Sequence, residues 1–569
     1  LEKPVATAST KRTRKKRPAT AAAARKASAS ADAADPLDAR RAPGDEIPER
    51  AWRVAAIVVL MLATGLRIYA LDLKPLHHDE GVNGFFLTNL LRQGVYHYDP
   101  ANYHGPTLYY LTLPVVALFG LSTFAIRFVP VLFGVGAVWL VLALRRRVGA
   151  IAALTAAALV AISPACVFYS RYFIHETPFV FFTLGLVVAA LRFQETGAPL
   201  YLMLASASAA MLFATKETAF ISIGTLAPAW LVAFAWVRLT TGGGRGTQAR
   251  RSGGEASGFD ETAGLAAFRA SGQAPAFAAG AVALFVLIWV VFYSSFFTNW
   301  EGVFWDSFKA FSIWKGTGMS EFHGKPPYTY VKWLLQEESA ILILGSVGAV
   351  VALFESRKNR FAVFAAAWGL GLLAAYSLIS YKTPWLVLNF VVPLAIAGGY
   401  AVQAVGGWVA RAGGRRGGGA TQRRLAAMAV AAVAIGGGLY QTIVLNFREY
   451  DNDRYPYVYS QTQRQVYGLV KEIEQLGARA RTKEPGFAVA SPDYWPLPWY
   501  FRDNTHAGFE GRIASSYDPQ ATLAVIGKDD QLPQLQRLLG EGYVRVGDIY
   551  PLRPGVNLVL FERRDLAGK

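Results

Sequence analysis

Cysteine is almost missing: the 569-residue chain has one, Cys166, set inside an apolar run, so no internal disulfide is possible and the redox compartment stays unread. The phosphate-cradling pattern Gly-x-x-x-x-Gly-Lys-Ser/Thr is absent, which argues against a nucleoside-triphosphate enzyme. No histidine and cysteine spacing matches a zinc pattern. Before Ala51 there is no apolar core followed by a small-residue cleavage site, so a cleavable signal peptide is not expected and the first apolar span directs insertion. Charge is scarce as well. Asp, Glu, Lys and Arg make up 17% of the residues against 53% hydrophobic, and the long Ala, Val, Leu and Phe runs carry none, which excludes an ordinary water-soluble protein.

What is present is a series of apolar runs, most of them near the roughly 18 residues that cross about 30 Å of hydrocarbon as helix. They fall near 52–71, 124–144, 149–169, 177–193, 199–215, 217–237, 275–297, 338–354, 361–380, 385–403 and 425–446. The expected fold is therefore a polytopic α-helical membrane protein of about 11 transmembrane helices, with a C-terminal extracytoplasmic α/β domain. Its expected parts are a disordered basic cytoplasmic tail at 1–50, a transmembrane domain at 51–446 with outer loops 72–122 and 298–337, and the α/β domain at 447–569. In that last part strand-like runs such as GFAVAS and ATLAVIG alternate with a helix expected over 460–476.

The formal charge of +18 is topological, because its Lys and Arg residues cluster between apolar spans, where they meet anionic lipid. Membrane lipids are thus expected partners and nucleic acid is not. The short run 107–120 contains Pro114 and decides the parity. If it does not cross, every basic loop shares the side of the tail KRTRKKR, as the positive-inside rule requires. It is accordingly expected as an interfacial or re-entrant helix. The same parity gathers loop 72–106, SRYFIHET at 170–177, TKET at 215–218, loop 298–337 and SYKTPW at 380–385 on the outer face of a cytoplasmic (inner) membrane. The role of the basic loop 238–273 is not legible.

Charged side chains converge on that face. Asp79 and Glu80, in HHDEG, are adjacent carboxylates at a membrane surface, where desolvation is costly and function is the usual reason for retention. Asp79 is the candidate general base, its pKa raised by partial burial beside Glu80. Either carboxylate also suits the start of a helix near Gly81, and Glu80 is the better candidate for capping residue or metal ligand. Arg171, Lys216, Lys325 and Lys382 supply the positive charge a phosphate leaving group needs, with snorkelling at span ends as the structural alternative for each. His78, His104, His175, Glu176 and His323 form a candidate acceptor or ion site, and His77 stands beside them. A divalent ion held by Glu80 or Glu176 with these imidazoles would be Mg or Mn on carboxylates, or Zn on histidines. His175 and Glu176 are also expected to hydrogen-bond or pair with Arg171, which lies one helical turn before His175.

In these motifs the chain resembles the GT-C superfamily of membrane glycosyltransferases that use polyprenyl-phosphate sugars. The resemblance is to the protein O-mannosyltransferase and aminoarabinose-transferase branch, in particular its flippase-activity-associated subgroup. It covers about residues 52–400 and is carried by Asp79–Glu80, HGPTLYY followed by FG and FAIRFVPVLFG, SRYFIHET and YKTPW, with PDYWPLPWY extending it. His104 stands where many relatives carry the lysine of a Lys-Pro-Pro motif. The resemblance implies a polyprenyl-phosphate sugar donor, inverting transfer to a protein, lipid or glycan acceptor on the extracytoplasmic face, Asp79 as base, and the interfacial helices of 72–122 as part of the active site. Some relatives bind a divalent ion near the second acidic residue, here Glu80. The competing expectation is a non-catalytic transporter or flippase component that binds lipid-linked sugar through the same charges.

Overall fold

The structure is a computed structural model that describes residues 47–102, 104–241, 263–318, 324–355, 359–412 and 419–568. The tail before residue 47, the middle of the 238–273 loop and His323 lie outside the described residues.

Backbone in hydrocarbon must satisfy its own hydrogen bonds, and the apolar runs do so as helices. In chain order the elements that frame the site are α1 (Glu49–Ile68), α2 (His78–Gln93), α3 (Thr107–Phe119), α4 (Thr123–Leu142), α5 (Ala150–Ile162), α6 (Pro164–Ser170), α7 (Glu176–Thr196), α8 (Pro199–Thr215) and α9 (Ala219–Thr241). They are followed by α10 (Ala274–Tyr293), α11 (Thr329–Glu337), α12 (Ser339–Phe354), α13 (Arg360–Leu378), α14 (Leu388–Ala412) and α15 (Gly419–Ile443). Among the described residues eight helices are long and apolar enough to cross a membrane, or ten if the bent pairs α5–α6 and α11–α12 each count as one span. Pro199–Thr215, expected as a span, is a shorter apolar helix of 17 residues. Helix α3 has 13 residues, which at about 1.5 Å each is too short for a crossing.

The break between α5 and α6 turns the chain by 57° and has a local cause. Pro164 has no N–H to continue the helix, and Ser163 caps the new one by accepting from the Cys166 N–H. The carbonyls stranded at the bend are taken by Arg67 from α1, which donates to Ala161 O at 2.9 Å and Val160 O at 3.1 Å. Close helix contacts rest on small residues: a Cβ added at Gly348 would lie 2.0 Å from the Ala397 carbonyl, and one at Gly399 would lie 2.2 Å from that of Ala152.

Beyond α15 the amphipathic helix α16 (Val466–Arg479) packs on a five-stranded sheet of order β2-β1-β3-β5-β4. The strands are β1 (Phe487–Val489), β2 (Ala507–Phe509), β3 (Ala524–Lys528), β4 (Tyr543–Arg553) and β5 (Val556–Arg563). β1 pairs parallel with β2 and β3, while the β4–β5 hairpin joins antiparallel through β5. This domain is held tightly to α2. The Tyr500 hydroxyl accepts from the Leu76 N–H at 2.9 Å, and a Cβ at Gly84 would stand 2.5 Å from the Trp499 ring.

Candidate active site

The site begins at the first turn of α2, which starts at His78, three residues before the start near Gly81 that the sequence suggests. His77 is the N-cap. Its ring accepts from the Asp79 N–H at 3.1 Å, and Glu80 Oε2 accepts from the His77 N–H at 3.0 Å, forming a reciprocal capping box. Consecutive helical residues point about 100° apart, so this cap sends the two carboxylates in different directions.

Glu80 faces inward and is fully buried. Its Oε1 and Oε2 each accept from the Arg127 guanidinium at 2.7 Å, and Oε1 also takes the Phe173 N–H at 2.9 Å. Arg127 spends its remaining donors on the carbonyls of Leu71, Lys74 and Pro75. Burial alone pushes the Glu80 carboxyl upward, but the Arg127 charge overrides it and holds the group below its usual range. Both oxygens are therefore occupied by donors of positive charge, and a guanidinium stands where a cation would have to sit. The donor set does not fit the metal ion expected at Glu80. Among the described residues no group of three or more His, Cys, Asp or Glu side chains is arranged to hold one.

Asp79 faces the other way, into a cavity of about 500 Å³. Its side chain keeps 37% of its surface open there. Burial pushes its carboxyl above the ordinary carboxylate range, and His78, His104 and Lys216 pull in the opposite direction. Burial also disfavours charge on the neighbouring imidazoles: it holds His77 down to about 3, His175 well below the histidine range, and His78 below it.

The far wall comes from the α6–α7 and α8–α9 junctions. His104 Nδ1 is 2.9 Å from Glu217 Oε2, its ring lies against that of His175, and His175 Nε2 meets the Gly105 carbonyl at 3.1 Å. Lys216 is in direct contact with Glu176. Burial would lower the Lys216 pKa, yet the carboxylates of Glu176 and Glu217 raise it, so the amine stays charged. The structure corrects the expected pairing of Glu176 and His175 with Arg171. Tyr381, Trp385 and Tyr459 add aromatic surface.

Three expected phosphate-binding cations are not among the lining residues. Arg171 donates to the carbonyls of Leu66, Arg67, Tyr69 and Ala70, closing the last turn of α1. Burial lowers its pKa to about 9. Lys382 donates to the Ile379 carbonyl, and Lys325 Nζ to that of Lys382 at 3.1 Å, immediately behind Tyr381 and Thr383. Of the expected site residues, the structure brings His78, Asp79, His104, His175, Glu176 and Lys216 together.

Arg127 and Arg553 escaped the sequence reading, and Glu217 was legible only as one of the charges converging on the outer face. An arginine inside the apolar run FAIRFVPVLFG was itself a signal of a buried partner. Glu217 stands beside Lys216 in TKET. Arg553 gave no signal, because it lies in a hairpin of another part of the chain.

Comparison with solved structures gives the fold a class. The chain is similar to ArnT from Cupriavidus metallidurans, in a crystal structure bound to undecaprenyl phosphate, with TM-score 0.60 and 14% identity over 92% of this chain and 100% of that one. The apo structure of the same protein gives 0.56 at 15% identity over 91% and 98%. An Archaeoglobus fulgidus oligosaccharyltransferase tethered to an acceptor peptide gives 0.53 at 13% identity, covering 85% of this chain and 70% of that one. No curated protein matches by sequence. This is a multi-pass membrane protein with the GT-C glycosyltransferase fold. Within it, residues 103–242 match the model of the dolichyl-phosphate-mannose-protein mannosyltransferase family, the branch its motifs resemble.

Proposed function

We propose that the protein transfers one sugar from a polyprenyl-phosphate donor to a hydroxyl of a protein, lipid or glycan acceptor, with inversion. The cavity faces the extracytoplasmic side, opposite the basic helix ends at Arg145–Arg147 and Arg360. The acceptor oxygen attacks the anomeric carbon and loses its proton to Asp79. The anomeric carbon–oxygen bond breaks on the opposite face, and its electron pair leaves with the lipid phosphate. Lys216 provides a fixed positive charge at the cavity wall, and Lys325 and Lys382 add to the field from behind it. Glu80 has no part in holding a metal in these steps, since both its oxygens are committed to Arg127.

One observation carries the reading: of two adjacent carboxylates, only Asp79 opens into the cavity, and its burial tunes it to accept a proton. The test is sugar transfer by purified protein in liposomes supplied with polyprenyl-phosphate sugars. Asp79→Asn should remove turnover without loss of folded protein, and near-normal turnover in that variant refutes the assignment. A wild-type sample that scrambles the lipid-linked sugar across the bilayer but transfers none would favour the transporter reading.

A further inference from the structure

The sheet domain reaches into the cavity at one point. Arg553 ends β4 at the tight turn into β5, paired with Val556, and its side chain lines the same space as Asp79. Its guanidinium contacts Asp493 through Nη2, and Nη1 lies 3.4 Å from His78 Nδ1. Its side chain is 18% exposed. Nothing in the sequence motifs assigns it a role.

A count of cavity charges gives it one. Burial holds His77, His78 and His175 below the histidine range, His104 Nδ1 lies 2.9 Å from Glu217, and Lys216 is in direct contact with Glu176. Arg171, Lys325 and Lys382 are not lining residues, and each gives donors to backbone carbonyls, Lys382 to that of the lining residue Ile379. Among the described lining residues Arg553 is the one guanidinium, and of its five N–H donors the contacts with Asp493 and His78 engage two. A planar fork with donors to spare suits a phosphate better than an ammonium does. Asp493 is itself shared with Lys528, whose Nζ lies 3.5 Å from its other carboxylate oxygen.

We propose that Arg553 is the phosphate-binding residue of the site, and that the C-terminal domain therefore completes the donor subsite. The ligand chemistry is a phosphate ester of a polyprenol, and this assignment rests on the glycosyl-transfer reading above. The domain's grip on α2, through Tyr500 and Trp499, keeps the guanidinium one residue from the base. Donor phosphate and acceptor proton are then handled at adjacent points, His78 and Asp79, of one rigid helix start.

The experiment measures binding of undecaprenyl phosphate, undecaprenol and inorganic phosphate to the full-length protein in detergent, with sugar transfer read on the same preparations. Wild type should hold the phosphorylated lipid at least about tenfold tighter than the alcohol, a difference of about 1.4 kcal/mol. Arg553→Gln should erase that difference with undecaprenol binding and melting temperature unchanged, and Arg553→Lys should recover part of it. Asp493→Asn separates the ligand role from a structural one: with the competing carboxylate neutralised, phosphate-lipid binding should hold or tighten. The proposal is overturned if Arg553→Gln weakens both lipids alike, if Asp493→Asn copies its effect, or if inorganic phosphate binds as tightly as the phosphorylated lipid. Arg553-dependent lipid binding in a sample that transfers no sugar would end the catalytic reading and leave this one. Transfer and phosphate-lipid affinity both indifferent to Arg553 would do the reverse.

Discussion

Two regions on either side of the first turn of α2 carry charge, and they use it in opposite ways. Behind the turn, Glu80 with Arg127, Arg67, Arg171 and Lys74 are buried, and the arginines spend their donors on Glu80, the Ser170 hydroxyl and carbonyls left over at helix ends and bends. Lys74 is the exception: its buried amine lies over the Phe168 ring at 3.6 Å with no hydrogen-bond partner among the described residues, and burial holds it well below the usual lysine range. In front of the turn Asp79, His104, Lys216 and Arg553 line an open cavity. A buried charge whose bonding is complete stabilises one backbone arrangement, whereas a charge on a cavity wall keeps capacity for a ligand.

The comparison breaks most directly at Asp79. Asp79→Asn should cost roughly 10²–10⁴-fold in transfer rate, the usual range for a general base, with an unchanged melting temperature. Next in size is its neighbour. Glu80→Gln should destabilise the protein by about 3–5 kcal/mol, the cost of leaving a buried guanidinium unpaired, and this will be read as a large fall in melting temperature and folded yield. Should Glu80→Gln instead fold normally and lose only activity, the division between the two regions is wrong. The stability that Glu80 contributes is present above its unfolded pKa, about 4.3, and is lost as pH falls through its depressed folded value.

Arg171→Gln should cost about 1–3 kcal/mol of stability through the uncapped end of α1, while the KM for the lipid donor stays within about twofold. A selective rise in KM would move Arg171 back to the donor. The smallest effect sharpens the front region. Because Asp79 must be ionised to act, kcat/KM should rise with pH through a pKa above the ordinary carboxylate range. Lys216→Met removes a charge that lowers that pKa, so it should move the limb of the profile to higher pH. A limb that stays in place would separate Lys216 from the base.

Much of this was legible in the sequence. Charge-free apolar runs place the helices, because hydrocarbon admits few alternatives for the backbone. Positive loops set one end apart from the other, and the motifs HHDEG, HGPTLYY, FIHET and TKET supply six residues that do line the cavity: His78, Asp79, His104, His175, Glu176 and Lys216. The misplaced ones share a cause. Arg171 reads the same from sequence whether it binds a phosphate or caps a helix, since both partners are oxygen atoms and only one of them is in the chain. Lys325 and Lys382 lie on the expected face, yet they do not line the cavity and give donors to the carbonyls of Lys382 and Ile379.

Local chemistry along the chain is enough for a membrane-embedded helical protein with its charged groups gathered at one end and a separate strand-bearing domain after the last span. Hydrophobic run length and charge spacing are local properties, and they suffice for that much. Only the tertiary structure decided that Glu80 is locked to Arg127 while Asp79 is open, and that Arg553 arrives from a hairpin 474 residues away in the chain. Those outcomes depend on which way each side chain points once the helix start is capped and the domain is seated against it, and direction is settled by packing between segments that are remote in sequence.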